Sequence, residues 1–315
     1  RNNYHNTPST YSEMYNQFME NILIDIGSST IKAYKCNKKT LKPHKQTSVH
    51  FKKNFDNGDI DHKDKETLIK FIKLIKKSHS DSIIKTYATS IFRELDKTKK
   101  SQLIEDVFAE TEVLVNIIDQ TTESLYLQLA LVGKYNSKDN LMLVNIGGGS
   151  TELVILNDNT PVERKNIEIG VGTLISNFPN INDKFAGVSL PSTVDFVRGK
   201  LPELAHKIDT AFYTGGELKY MQLTKYPLKS NELFTDKSHP SIIAFEDFSN
   251  KNQEVFSEMS IKNLENLMPE NQKWMHGARP CSALAQAIFQ EYGVKTIIPS
   301  NSNIMDGVAR YEFGV

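Results

Sequence analysis

The stretch LVNIGGGSTELVI, Leu143–Ile155, constrains this chain more than any other. An apolar run enters three consecutive glycines, passes Ser150, Thr151 and Glu152, and turns apolar again. Three glycines in a row weaken any helix or strand interior, because each loses backbone entropy and packs no side chain. Between two β-rich runs they read as a tight turn joining two strands. LIDIGSSTIK, Leu23–Lys32, has the same form. Each stretch carries an acid or an amide, Asp25 or Asn145, two residues before its first glycine. One such hairpin opens each half of the 315-residue chain, and 315 residues exceed one ordinary core. Strands and helices alternate after each hairpin, so the expected class is α/β, as two domains.

Glycine turns expose backbone N–H groups and let a ligand approach the main chain, and phosphate is their usual occupant. Gly27, Ser28, Ser29, Gly147, Gly148, Gly149, Ser150 and Thr151 are therefore candidate phosphate-binding residues, with Lys32 closing the first stretch. A third turn, YTGGELKY, adds Gly215 and Gly216 after a strand. Asp25 ends an apolar strand at its turn, where a carboxylate can hold Mg²⁺ directly or through water. In ATSIFREL, Arg93 follows a strand ending in small and hydroxyl residues, and arginine can bind phosphate in bidentate fashion. Glu123 falls in the first turn of a helix after Gln120-Thr121-Thr122. Neither hairpin turn carries the Gly-Lys-Ser/Thr of a P-loop, and neither opens a helix as a Rossmann turn does.

Lys+Arg and Asp+Glu balance at 38 each, which gives no global signature for nucleic acid or membrane. Locally, Lys32 to Lys77 holds fourteen lysines against five acids, a stretch that could face a polyanion. Two distant cysteines, Cys36 and Cys281, make neither a disulfide framework nor a zinc site, which suits a reducing cytoplasm. No apolar run approaches ~18 residues, and no signal peptide opens the sequence. Residues 1–18 read as a tail.

Further along, residues 48–55 are expected as a third strand, and Asp64 as the cap of a helix to about Lys77 with Leu68, Phe71, Ile72 and Ile75 on one face. Helices are also expected over VDFVRGKLPELAHKI, over residues 250–269, and from Pro280 to the stop at Gly293. Strand VKTIIPS and helix IMDGVARYEF close the chain.

These motifs, taken in order, resemble the exopolyphosphatase / guanosine pentaphosphate phosphatase family. LIDIGSSTIK and LVNIGGGSTEL resemble its two phosphate motifs, and ATSIFREL its Ala-Thr-Ser segment with arginine. IIDQTTESLYLQLALVG is similar to its segment with the catalytic glutamate, and ARPCSALAQAIFQEYGVKTIIPSNSNIMDGVA to its closing strand and helix. The resemblance runs from about Asn21 to Val315. It implies two ribonuclease-H-like domains of the actin-like ATPase superfamily, residues 19–134 and 135–315, flanking an interdomain cleft, with the last helix packing back on the first. It implies hydrolysis of terminal phosphate from inorganic polyphosphate or guanosine pentaphosphate with Mg²⁺ or Mn²⁺, and often a homodimer. Glu123 would activate water, Arg93 would hold the terminal phosphate, and Asp25 and Glu152, with Asn145, would face the metal.

The sequence departs from the family pattern at charged positions. Asn145 stands where the family has Asp, Thr122 where it has a second acid, Ser29 where it has Asn, and Thr173 where it often has Arg. A second reading is thus a member that binds polyphosphate or guanosine tetra/pentaphosphate with little turnover. A third, a sugar or acetate kinase of the same superfamily, lacks support in the ATSIFREL segment.

Overall fold

The computed structural model describes residues 20–37, 40–132, 140–183, 190–233 and 238–314. The expected tail over residues 1–18 and the expected boundary at 134/135 fall outside them. The chain divides into two compact units: one ends at Glu123 and resumes at Val308, and the other spans Ser124–Gly307.

The first unit holds a five-stranded sheet in the order β3-β2-β1-β4-β5. Strands β1 (Asn21–Ile26), β2 (Thr30–Asn37) and β3 (Thr40–Ser48) form an antiparallel meander, and β4 (Ile84–Ala88) and β5 (Val115–Ile117) add in parallel. Helix α1 (His62–Ser78) crosses from β3 to β4, and α2 (Lys97–Thr111) from β4 to β5. Ile22, Ile24 and Ile26 alternate along β1 into a core with Leu68, Phe71, Ile72 and Ile75 of α1 and Leu103 and Val107 of α2. Period two on the strand meets period 3.6 on the helix, and both faces are buried together.

The second unit holds seven strands, ordered β10-β11-β12-β9-β6-β7-β8. Its meander is β6 (Leu141–Ile146), β7 (Thr151–Asn157) and β8 (Thr160–Ile167), with β9 (Thr210–Thr214) and β12 (Thr296–Pro299) in parallel beside β6. The order β8-β7-β6-β9-β12 therefore repeats β3-β2-β1-β4-β5. The short strands β10 (Lys229–Ser230) and β11 (Ser241–Ala244) extend the far edge. Each parallel strand is reached through helices, as a parallel crossover requires. Two ribonuclease-H-like sheets in one chain make this the actin-like ATPase fold. Helix α3 (Gln120–Leu131) follows β5, and the final helix α10 (Ile304–Phe313) follows β12. The end of α10 belongs to the first unit, where Glu312 accepts from Tyr87 Oη at 2.7 Å and pairs with Lys85.

Several expectations need correction. The third strand is residues 40–48, while 49–55 turn back and sink Val49 and Phe51 into the core. The strand escaped notice because β3 is almost wholly exposed, so pairing rather than burial defines it. The cap of α1 is Asp61, whose carboxylate accepts from Lys63 N at 2.8 Å. Asp64 is instead buried in the first turn, accepting from His50 N at 3.2 Å and Asn54 Nδ2 at 2.9 Å. Helix α5 (Leu190–Arg198) stops short of the expected Ile208, since Gly199 follows it and Pro202 disfavours a helical Leu201.

The polar helix over 250–269 is two helices, α7 (Phe245–Glu258) and α8 (Ile261–Leu267), broken where Ser260 and Asn263 form a capping box. Helix α9 (Gln272–Glu291) starts well before Pro280. A mid-helix proline frees the carbonyl four residues back. Here that carbonyl is His276 O, and it accepts from Asn182 Nδ2 at 3.0 Å. Cys36 and Cys281 are both buried and unbridged. No helix among the described residues is long and apolar enough to cross a membrane.

Candidate active site

The two glycine turns have one construction. Gly27 N donates to Thr30 O at 3.0 Å, and Gly147 N donates to Ser150 O at 2.8 Å, so each turn closes over four residues. In each, the segment after the meander's third strand ties down the turn's carbonyls. Ser29 O accepts from Val49 N at 3.0 Å and Ser28 O from Lys52 N at 3.3 Å. Gly147 O accepts from Val171 N at 3.0 Å and Gly148 O from Gly172 N at 2.7 Å. A trans peptide puts its N–H opposite its C=O. Fixing those carbonyls on one side therefore turns the next N–H groups, of Ser29 and Thr30 and of Gly148 and Gly149, to the other. That is the disposition an anion-binding turn needs.

Glycine is required in the segment that packs on the second turn. Helix α4 (Val171–Asn177) begins against it, and a Cβ on Gly170 would lie 2.5 Å from Gly147 O. One on Gly172 would lie 2.8 Å from Gly148 O. Gly147 and Gly148 themselves are exposed.

Not every hydroxyl near the turns faces a ligand. Thr151 is fully buried and donates to Ile169 O at 2.7 Å, which makes it a strut of the turn rather than the phosphate ligand expected. Ser28 is buried, whereas Ser29 is exposed. At the third turn, Gly215 and Gly216 have φ of +119° and +105°, which favours glycine there. The N–H groups of Gly216 and Glu217 both donate to Ser300 O, at 3.4 and 3.2 Å, so that turn is spent on binding the β12 end.

Within the first unit four expected site residues interact. Strand β4 runs into a 3₁₀ turn, Ser90–Arg93, entered through Ser90 at φ +53°. Ile91 and Phe92 anchor that turn in the core, Phe92 edge-on to Phe51 at 4.9 Å, and Arg93 is left half-buried at the surface. Its Nη1 donates to Glu123 Oε2 at 2.5 Å and to Ile118 O at 3.5 Å. Glu123 sits in the first turn of α3. Asp119, not among the expected site residues, caps that helix by accepting from Thr122 N at 2.7 Å. An Asp directly before the helical run was the available signal. Asp25 lies opposite Lys32 across the β1–β2 ladder. Burial pushes the Asp25 carboxyl up to about 6, against the lowering charge of Lys32 and with a further rise from Glu123. Asp25, Lys32, Arg93 and Glu123 thus form one electrostatic cluster.

The second unit brings Glu152 and Asn145 together, paired across the β6–β7 ladder. Glu152 is buried, and Ser124 Oγ donates to its Oε1 at 2.7 Å. Ser124 was not among the expected residues, and nothing in its sequence context distinguished it. Mg²⁺ takes oxygen ligands, typically one or two carboxylates with substrate phosphate and water. Taken unit by unit, Asp25 in the first, and Glu152 with the Asn145 amide oxygen in the second, each offer oxygen donors of that kind. Among the described residues no cluster of three or more His, Cys, Asp or Glu could hold a metal alone.

The repeated ribonuclease-H-like sheets and paired glycine turns define the class as an actin-like fold with phosphate-type turns. Residues 38–309 match the model of the Ppx/GppA phosphatase family, and the chain belongs to that family. The fold is similar to a Ppx/GppA family member from Aquifex aeolicus, at TM-score 0.69 and 19% identity over 93% of this chain and 97% of that one. It is equally similar to an exopolyphosphatase from Cytophaga hutchinsonii, at TM-score 0.69 and 17% identity over 94% and 98% of the two chains. A bifunctional 3-dehydroquinate synthase/phosphatase of Fusobacterium nucleatum is 31% identical over 143 residues, which are 44% of this chain and 21% of that protein. The chain thus spans about a fifth of that curated relative's length.

Proposed function

We propose that the protein is a phosphoanhydride hydrolase that releases the terminal phosphate of inorganic polyphosphate, of guanosine pentaphosphate, or of both. The observation that carries this reading is the Arg93–Glu123 contact at 2.5 Å, beside Asp25 in the unit that also holds the first glycine turn. Family membership supports a phosphatase, and the Cytophaga hutchinsonii relative is an exopolyphosphatase.

In this reading a terminal phosphate draws Arg93 away from Glu123, because a guanidinium binds phosphate oxygens in bidentate fashion. Glu123 is then free to accept a proton from water as its oxygen attacks phosphorus. The bridging P–O bond breaks, and the shortened chain leaves with its electron pair. Turn N–H groups and Arg93 stabilise the equatorial charge, the main demand of phosphoryl transfer. Mg²⁺ or Mn²⁺, when bound, would neutralise phosphate charge, with Asp25 as the oxygen donor that the first unit supplies.

A second reading, binding with little turnover, is favoured by one observation: the residue opposite Glu152 is the amide Asn145. Phosphate release from polyphosphate and from guanosine pentaphosphate, with Mg²⁺ or Mn²⁺, separates the two when measured beside Glu123→Ala. Release that the substitution abolishes supports the hydrolase. Binding of either ligand without release overturns it in favour of the second reading.

A further inference from the structure

On the first unit, away from the glycine turn, four elements converge on two imidazoles. His79 is the C-terminal cap residue of α1, and His44 lies on the edge strand β3. Their Nε2 atoms face each other at 3.0 Å, with the rings edge-on and centroids 4.8 Å apart. Glu20, just before β1, faces the other ring nitrogen of His79, Nδ1, at 3.6 Å, and Lys35 of β2 holds Glu20 at 2.9 Å.

We propose that His44 and His79 are a two-histidine site for a divalent transition ion of the zinc and nickel type. Two imidazoles on one tetrahedral ion, each with metal–nitrogen about 2.0–2.1 Å, bring their nitrogens to about 3.3 Å. The observed 3.0 Å needs an opening of only a few tenths of an ångström. The Glu20 carboxylate lies on the Nδ1 side of His79, and Nε2 is the nitrogen toward His44. A carboxylate behind a ligating histidine is the usual outer-shell partner, fixing tautomer and ring orientation. His79 is mostly buried, so it is preorganised, while exposed His44 leaves the outer face for water ligands. The ion joins β3 to the end of α1, and imidazole ligands select it over Mg²⁺.

The test is equilibrium dialysis of the full chain against Zn²⁺, and separately Ni²⁺, at pH 7.5, for the wild type and for His44→Gln, His79→Gln and Glu20→Gln. The expected result is one ion per chain, lost at least tenfold in affinity in either histidine variant and about tenfold in Glu20→Gln. A hundredfold excess of Mg²⁺ leaves it in place. His44→Gln changes an exposed side chain on an edge strand, so a native circular dichroism spectrum is expected and keeps the test valid should His79→Gln unfold. No uptake by the wild type, or undiminished uptake by His44→Gln, overturns the proposal.

Discussion

Asn145 stands opposite Glu152 at the rung of the second hairpin that Asp25 and Lys32 occupy in the first. In both, the leading residue lies two positions before the first glycine of the turn. The carboxylate has changed strands between the two: leading in the first unit, returning in the second. Asn145→Asp would set two carboxylates on one rung. Without a metal they repel, and like charges opposite each other destabilise a ladder. The expected outcome is a lower melting temperature without Mg²⁺, recovered when Mg²⁺ is added, and phosphate release at least tenfold faster. Differential scanning fluorimetry and a phosphate assay read the two effects.

Arg93→Lys keeps the charge but loses the planar fork. Losing one preorganised donor to a transition state costs about 10²–10³ in rate. The substitution is expected to lower kcat by that order while leaving stability nearly unchanged, since Arg93 is half-exposed beside a buried 3₁₀ turn. Glu123→Gln should lower kcat further and raise affinity for a phosphate product, because it removes the acidic partner of Arg93. Steady-state kinetics and product inhibition check both.

Asp25→Asn separates chemistry from stability. The folded carboxyl titrates at about 6, above its ordinary 3.8, so the folded state binds the proton more tightly than the unfolded state. The stability it contributes is full below pH 3.8 and is lost as pH rises through 6. At pH 8 the buried charge is therefore a cost, on the order of 2–3 kcal/mol by the size of the shift. Asp25→Asn should be more stable than wild type at pH 8, equal to it near pH 4, and inactive throughout. Urea unfolding at the two pH values, with the phosphate assay, measures this.

Two glycines should respond differently to alanine. A Cβ on Gly307 would lie 1.7 Å from Tyr126 O, in backbone that cannot yield cheaply, so Gly307→Ala should unfold the protein or lower its melting temperature by many degrees. A Cβ on Gly170 meets the glycine turn itself, at Gly147 O. Gly170→Ala should cost activity more than tenfold with a smaller loss of melting temperature, because it displaces exposed turn backbone. Thermal unfolding beside phosphate release distinguishes them.

The elements that bury an apolar stripe were legible. Leu68, Phe71, Ile72 and Ile75 gave α1, and the paired hairpins gave β1–β2 and β6–β7, because burial writes its period into the residue types. Elements held by pairing or rescue were not. Strand β3 is mostly exposed, and in α9 the carbonyl that Pro280 frees, His276 O, is met by Asn182, nearly a hundred residues away. Among site residues, Glu123 and Arg93 were legible as types, but their 2.5 Å contact depends on a 3₁₀ turn anchored by Ile91 and Phe92. Ser124 of α3 carried no signal at all, since its role is defined by Glu152, a neighbour on strand β7.

By itself the sequence determined the α/β class, the two-part organisation and the phosphate-type turns, for glycine, alternation and helical spacing are local properties. Tertiary structure decided which groups of each turn are available. It committed Thr151 to Ile169 O and the Gly216 N–H to Ser300 O, while carbonyls of the two hairpin turns were tied to one side. It also set Asn145 against Glu152. Such choices rest on which polar partner lies within hydrogen-bond reach, and only the packed chain fixes that distance.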